Sequence, residues 1–305
     1  MPEISVIIPL YNKGSTISRA IDSVLSQTVK DFEVIIVDGG SSDGGPDIVR
    51  GYEDERLIML EQSGRGVSQA RNQGVDVSES TLIAFLDADD EWHEDHLETI
   101  LRLKRDHDEA AIFATAVIDV YDQEERVRRY TGMDEEPWEG LIPSYFHTAA
   151  RNLPVITSAM GMKKDIFLEA GGFRVDLWRG EDTYLWAKVA LNHPIAFSWH
   201  GKVLYHYDGE NRITREVKSV EMHPFVIEAL DPDFKHSVGQ DVYDAVSEYV
   251  TKVMAEYISQ NILAGDYDRS AKDFLRYLSM GRIRANHIHT IIKSLLHRFG
   301  LYTIP

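Results

Sequence analysis

With 305 residues, 43% of them hydrophobic, the chain is long enough for one large domain, or one domain with a smaller appendage. It contains no cysteine, which excludes disulfides and thiolate metal sites. A formal net charge of −18 excludes general nucleic-acid binding unless charge is strongly segregated.

The opening MPEISVIIPLYNK has no basic segment and only a short apolar run, so no signal peptide is expected. No stretch reaches about 18 consecutive apolar residues, so no transmembrane helix is expected either. Ile4–Leu10 is a β-branched apolar run, the first predicted strand. Ser15–Gln27 follows with Ile17, Ala20, Ile21, Val24 and Leu25 at helical spacing. Phe32–Asp38 is the second strand. Its exit GGSSDGG leads to a helix near Pro46–Tyr52. Arg56–Gln62 is the third strand, GVSQARNQGVDVS the next helix and TLIAFLD the fourth strand. HEDHLETILRLKRD is a fourth helix, and AIFATAVIDVYD a longer strand. This alternation predicts an α/β fold with a mostly parallel sheet and helices on both faces.

Residues 122–154 carry Pro137, Pro143 and Pro154 and read as extended segments and loops. Met162–Phe173 and Gly180–Leu191 read as short helices, and FSWHGKVLYHYD returns to strand character. From about Val217 the texture is helical. Val242, Val246, Val250, Val253, Tyr257 and Ile258 share one predicted helix face. The expected division is an α/β domain at 1–215 and a helical region at 216–305.

The polar oddities fall at strand ends, where open parallel sheets bind ligands. Strand one ends in Tyr11 and Asn12, strand two in Asp38, and strand four in Asp87, Asp89 and Asp90. Carboxylates this close persist only when water screens them or a cation binds them. No G-x-G-x-x-G follows the first strand, and there is no G-x-x-x-x-G-K-[ST] loop. A divalent cation, Mg²⁺ or Mn²⁺, shared between aspartates and substrate phosphates would complete the rim.

PLYN (9–12), VDGGSSDG (37–44), GVSQARNQG (66–74), FLDADD (85–90), GGF (171–173) and GED (180–182) occur in order. Their order and spacing resemble those of family 2 glycosyltransferases of the GT-A fold, over about residues 3–210. The resemblance implies a GT-A domain at 1–215 and inverting transfer from a nucleotide-sugar. It also implies a role for each matching position. Asp38 would accept a hydrogen bond from uracil, Tyr11 would contact the base, and Pro9 would shape the strand exit beside Asn12. Arg71 would lie near the nucleotide diphosphate. Asp87 would face the ribose or sugar, and Asp89 would ligate the metal. Asp182, next to Glu181 of the donor site, would be the catalytic base. A further metal ligand is expected after the ED motif, His206 or else Asp208. Asp90 is either part of the motif or a cap for the helix beginning near His93.

The expected donor is a UDP-sugar, with GDP- and dTDP-sugars left open. The expected acceptor is a growing glycan or lipid-linked saccharide, as in cell-envelope polysaccharide synthesis. Two alternatives compete with this: a D-x-D phosphohydrolase with Asp87 as nucleophile, and a non-catalytic nucleotide-sugar-binding module. The C-terminal end departs from the rest in charge. From Phe274 to Pro305 there is no acidic residue, but Arg276, Arg282, Arg284, Lys293 and Arg298 are present. Ile288, Ile291, Ile292, Leu295, Leu296 and Phe299 share one predicted helix face. That face either packs on preceding helices or contacts a membrane, giving an expected cytoplasmic location with peripheral attachment at the inner membrane face.

Overall fold

The computed structural model describes residues 1–121, 124–207, 217–281, 285–299 and 301. Asp208, Arg282, Arg284 and the expected boundary near residue 215 lie outside the described residues. Contacts divide the chain into two compact units, Met1–Tyr145 with Leu153–Asn211, and Phe146–Asn152 with Arg212–Pro305.

The first unit holds one sheet. Its strands are β1 (Ile4–Leu10), β2 (Phe32–Asp38), β3 (Leu57–Glu61), β4 (Leu82–Phe85), β5 (Glu91–Trp92), β6 (Ile112–Tyr121), β7 (Glu124–Val127), β8 (Glu139–Leu141), β9 (Met160–Lys163) and β10 (Ile195–His206). Its helices are α1 (Ile17–Leu25), α2 (Gly45–Arg50), α3 (Val67–Val77), α4 (His96–Asp106), α5 (Tyr145–Ala149, running into the second unit), α6 (Lys164–Glu169) and α7 (Glu181–Ala190). The strand order is β3-β2-β1-β4-β9-β6-β10-β5, with β7 on β6 and β8 on β10. β3, β2, β1 and β4 are mutually parallel, as are β6 and β10. β9 enters antiparallel between β4 and β6.

Period-two alternation along β1 explains both faces of the sheet. Ile4, Val6, Ile8 and Leu10 pack in one core with Ile17, Ala20, Ile21 and Val24 of α1 and Leu97, Ile100 and Leu103 of α4. Ile7 points the other way, toward α3. A Cβ on Gly74 would lie 2.5 Å from an Ile7 methyl, so this helix approaches the sheet only because it carries glycine there.

Two segments differ from the sequence expectation. Met162 and Lys163, expected as the start of a helix, instead close the strand Met160–Lys163, because its backbone pairs with two neighbours far away in sequence. The stretch 122–154, expected as extended segments and loops, holds the strands β7 and β8 as read but also a short helix, α5.

The second unit comprises α8 (Pro224–Ala229), α9 (Phe234–Val238), α10 (Gln240–Ala264), α11 (Tyr267–Ser279) and α12 (Ala285–Arg298), together with residues of α5. α10 is its axis and buries Val246, Val250, Val253, Ile258 and Ile262. Phe146 stacks on Phe225 and leans on Tyr249, and Arg151 pairs with Glu248 at 3.0 Å. Gly265 ends α10 at φ +81°, a conformation glycine adopts without Cβ strain. Val242, expected on the buried face, is exposed in the first turns of α10. The predicted apolar face of α12 also divides. Only Ile291 of the six is buried, Ile288 and Leu295 are half-buried, and Ile292, Leu296 and Phe299 are exposed. The buried stripe of α12 is His287, Ile291 and Ser294, narrower than the sequence pattern suggests. Among the described residues no helix is long and apolar enough to cross a membrane.

Candidate functional site

β1, β2 and β4 are parallel neighbours, so their carboxyl ends open on one edge. The register sets Pro9 beside Val37 and Leu10 beside Asp38. Asn12 then turns the chain at φ +48°, the one positive φ outside glycine among the described residues. Asparagine tolerates this region better than other side chains, and here it is held from both sides. Its N–H donates to Ser41 Oγ at 2.9 Å, and its Oδ1 accepts from the Ser42 N–H at 2.9 Å. Asp38, 8% exposed, accepts from the Ser41 N–H at 3.1 Å. The first two strand exits are therefore tied into one loop cluster, with Tyr11 60% exposed beside it.

The strongest electrostatic feature is Arg71 on α3. It is buried, yet it reaches two acids from distant segments. Nη2 donates to Asp87 Oδ1 at 2.6 Å and Nη1 to Glu181 Oε1 at 3.1 Å. Its guanidinium also lies 5.2 Å from the Phe173 ring centroid. Burial opposes the charge, but Asp87 and Glu181 outweigh it and hold the guanidinium above its ordinary pKa. Glu181 opens α7 after Gly180, whose φ of +83° makes the turn. Burial, with repulsion from Asp182 and Asp87, pushes the Glu181 carboxyl up to about 7 despite Arg71. Asp182 is half-buried one residue further on and accepts from the Thr183 N–H at 2.6 Å.

The aspartates after β4 separate. Asp87 turns to Arg71. Asp89 accepts from Lys13 Nζ at 2.8 Å, and its backbone oxygen accepts from Arg19 at 2.6 Å. Asp90 is fully buried and accepts from Ser158 Oγ at 2.6 Å and from the His206 N–H at 3.3 Å. It does not cap α4, which begins at His96 after Asp95. His206 Nε2 lies 3.2 Å from Glu91 Oε2. Among the described residues no three His, Asp or Glu side chains gather to hold a metal ion. Asp89 and His206 are thus not part of a ready-made cage.

The structure joins Arg71, Asp87, Glu181 and Asp182 in one network, and Pro9, Tyr11, Asn12 and Asp38 in the adjoining strand exits. Four participants were not singled out in the sequence reading. Lys13 carries a visible signal, as the cation that follows PLYN. Ser41 and Ser42 lie in the Gly/Ser-rich exit of β2. Ser158 carries no local signal, because its role depends on β9 lying against β4.

Residues 5–169 match the sequence model of Glycosyl transferase family 2. Among curated relatives, "Glycosyltransferase GlyA" of Streptococcus pneumoniae is 33% identical over 33% of this chain and 15% of its own length. "Uncharacterized protein MT1568" of Mycobacterium tuberculosis is 28% identical over 70% of each chain. "Uncharacterized glycosyltransferase YibD" of Escherichia coli is 36% identical over 35% of this chain and 31% of its own length. The match thus spans under a third of GlyA and of YibD. The solved S. aureus TarS 1-349 in complex with UDP-GlcNAc superposes with a TM-score of 0.65 at 17% identity, covering 99% of this chain and 82% of that one. That likeness establishes a shared fold. With a family match over more than half its length, the chain belongs to glycosyl transferase family 2 and has the GT-A fold.

Proposed function

We propose that the protein transfers a sugar from a nucleotide-diphosphate donor, a UDP-sugar, to a hydroxyl of a glycan or lipid-linked saccharide, inverting the anomeric carbon. One observation carries this reading. A single buried guanidinium ties the D-x-D strand end at Asp87 to the acid-bearing start of α7 at Glu181. Donor-side and base-side groups are thereby held in fixed relation, which is what a single displacement requires.

In that reaction the acceptor oxygen attacks C1 as the bond from C1 to the diphosphate oxygen breaks. The acceptor proton passes to the Asp182 carboxylate, a contribution of roughly 10²–10⁴-fold. Glu181 is less suited to this role because Arg71 engages it. Arg71 acts as a positioning residue, since both of its terminal nitrogens bond carboxylates. Asp38 and Tyr11 would hold the base, with Asn12 and Pro9 fixing the loop beside them. The solved TarS complex holds UDP-GlcNAc, which supports a UDP-sugar over GDP- and dTDP-sugars here. An Asp87 nucleophile, as in a phosphohydrolase, is disfavoured by the Arg71 ion pair, which lowers its reactivity.

The donor set suits Mg²⁺ or Mn²⁺ as a shared ligand rather than a caged one. Such ions take one or two carboxylates and draw their remaining oxygens from substrate and water. Asp89 would supply the carboxylate, and His206 would have to exchange its contact with Glu91 to join it. When bound, the cation would supply Lewis-acid stabilisation of the departing diphosphate.

The test is nucleotide release from UDP-, GDP- and dTDP-sugars, with and without Mn²⁺, Mg²⁺ and saccharide acceptors. Release of UDP alone, dependent on acceptor and cation, is expected. Acceptor-independent phosphate release by the wild type would overturn the reading. Asp89→Ala should abolish cation-dependent UDP binding in calorimetry, and unchanged affinity would remove Asp89 from the metal site.

A further inference from the structure

The last two helices of the second unit leave several apolar side chains in solvent. α11 and α12 run antiparallel, with Tyr277 against His287 at one end and Tyr267 stacked on Phe299 at the other. On α11, Leu275 is 68% exposed and Leu278 37%; on α12, Ile292 is 46% and Leu296 37% exposed, and Phe299 just after it is 66% exposed. Single exposed apolar residues are ordinary. Five on these two helices and the residue after them, with contacts at Tyr277–His287 and Tyr267–Phe299, leave more apolar surface in solvent than scattered single residues do.

The charge around these residues indicates the occupant. Lys272, Arg276 and Arg298 are exposed on the same helices. Arg282 and Arg284 lie between the helices in sequence, and from Phe274 onward there is no acidic residue. The nearest acid within α11, Asp273, is 6% exposed and so contributes little to the surface. Asp266 and Asp268 are confined to the start of that helix. In a chain of net charge −18 this is a local reversal of sign.

We propose that this face of α11 and α12 docks on an anionic lipid surface. The exposed apolar residues would enter the headgroup boundary while the cations meet lipid phosphates. A second copy of the chain fits less well, because a two-fold contact through this face would set cation against cation. An uncharged protein groove would use the apolar residues and leave the cations unmatched. Each cation close to an anionic bilayer raises partitioning about fivefold, the equivalent of about 1 kcal/mol. Neutralising three should therefore lower it roughly a hundredfold. Reversible attachment of this kind needs no spanning segment.

The test is co-sedimentation of the full chain with vesicles of phosphatidylcholine alone or mixed with phosphatidylglycerol, without any donor sugar. The readout is thus independent of the transferase reading. Wild type should pellet with the anionic vesicles at low salt, stay soluble with the neutral ones, and be released by high salt. The Lys272→Gln/Arg276→Gln/Arg298→Gln variant should lose roughly a hundredfold in partitioning. Ile292→Ser/Leu296→Ser should lose binding while keeping its thermal melting profile, because these side chains are exposed. Wild type remaining soluble with anionic vesicles, or pelleting equally with both kinds, would overturn the proposal. So would a concentration-dependent dimer in sedimentation velocity that the apolar variant abolishes, because the face would then belong to a second copy.

Discussion

The rim of the sheet and the last two helices break the apolar-inside rule in opposite directions. At the rim, charge is buried: Arg71, Asp89 and Asp90 are each under a tenth exposed. On α11 and α12, apolar side chains are exposed on helices that also carry exposed cations. Buried charge persists only when each group meets an opposite charge or a hydrogen bond. The rim meets that condition through bonds spanning 16 and 110 residues of sequence, from Arg71 to Asp87 and to Glu181. Exposed apolar surface needs no internal partner and is kept for an external one. The two regions should therefore respond differently to substitution.

The largest effect is expected at the rim. Asp182→Asn should retain donor binding and lose turnover by roughly 10²–10⁴-fold, because an amide cannot accept the proton. A variant with more than about a tenth of wild-type turnover would remove Asp182 from the role of base. Next comes Arg71→Met. It leaves Asp87 and Glu181 without their shared cation, and chemical denaturation should report a loss of about 3–5 kcal/mol. The matching change on the helical surface, Arg276→Met, should stay within about 0.5 kcal/mol. Equal losses at the two sites would erase the contrast between buried and solvated charge.

Glu181 sharpens the contrast through pH. Its carboxyl is raised from 4.5 to about 7, so the folded state binds the proton more tightly than the unfolded chain. Ionised Glu181 is therefore destabilising. The penalty is absent below pH 4.5, grows between 4.5 and 7, and is complete above 7. Wild type should lose stability relative to Glu181→Gln as pH rises from 4.5 to 8. The gap should close as pH falls toward 4.5. A pH-independent difference between the two melting curves would contradict the buried environment assigned to this carboxyl. A smaller effect at the rim is expected at Asp38. Asp38→Ala should weaken UDP binding by about 1.5–3 kcal/mol, the range for a hydrogen bond to a charged group. An equal loss for nucleotides lacking the uracil imide would make Asp38 a loop-holding residue instead.

Much of the first unit was legible in its amino acids. β1, β2 and β4 are short β-branched runs, and the helices between them carry their apolar residues at helical spacing. The aspartates at the strand ends follow from those boundaries, so Asp38, Asp87 and Asp89 could be named before any fold was known. What stayed hidden shares one physical cause: it depends on which distant backbone lies alongside. MGMK at 160–163 has no strand pattern of its own and becomes β9 by pairing with β4 and β6. Ser158, held next to it, then bonds Asp90, so an aspartate that locally resembles a helix cap is a buried acceptor. α12 shows the same limit in a helix. Its sequence defines six apolar positions on one face, but only packing against α10 decides that Ile291 is covered while Ile292, Leu296 and Phe299 are left in solvent. Local periodicity fixes where a side chain points relative to its own backbone, and only tertiary contact fixes what it meets there.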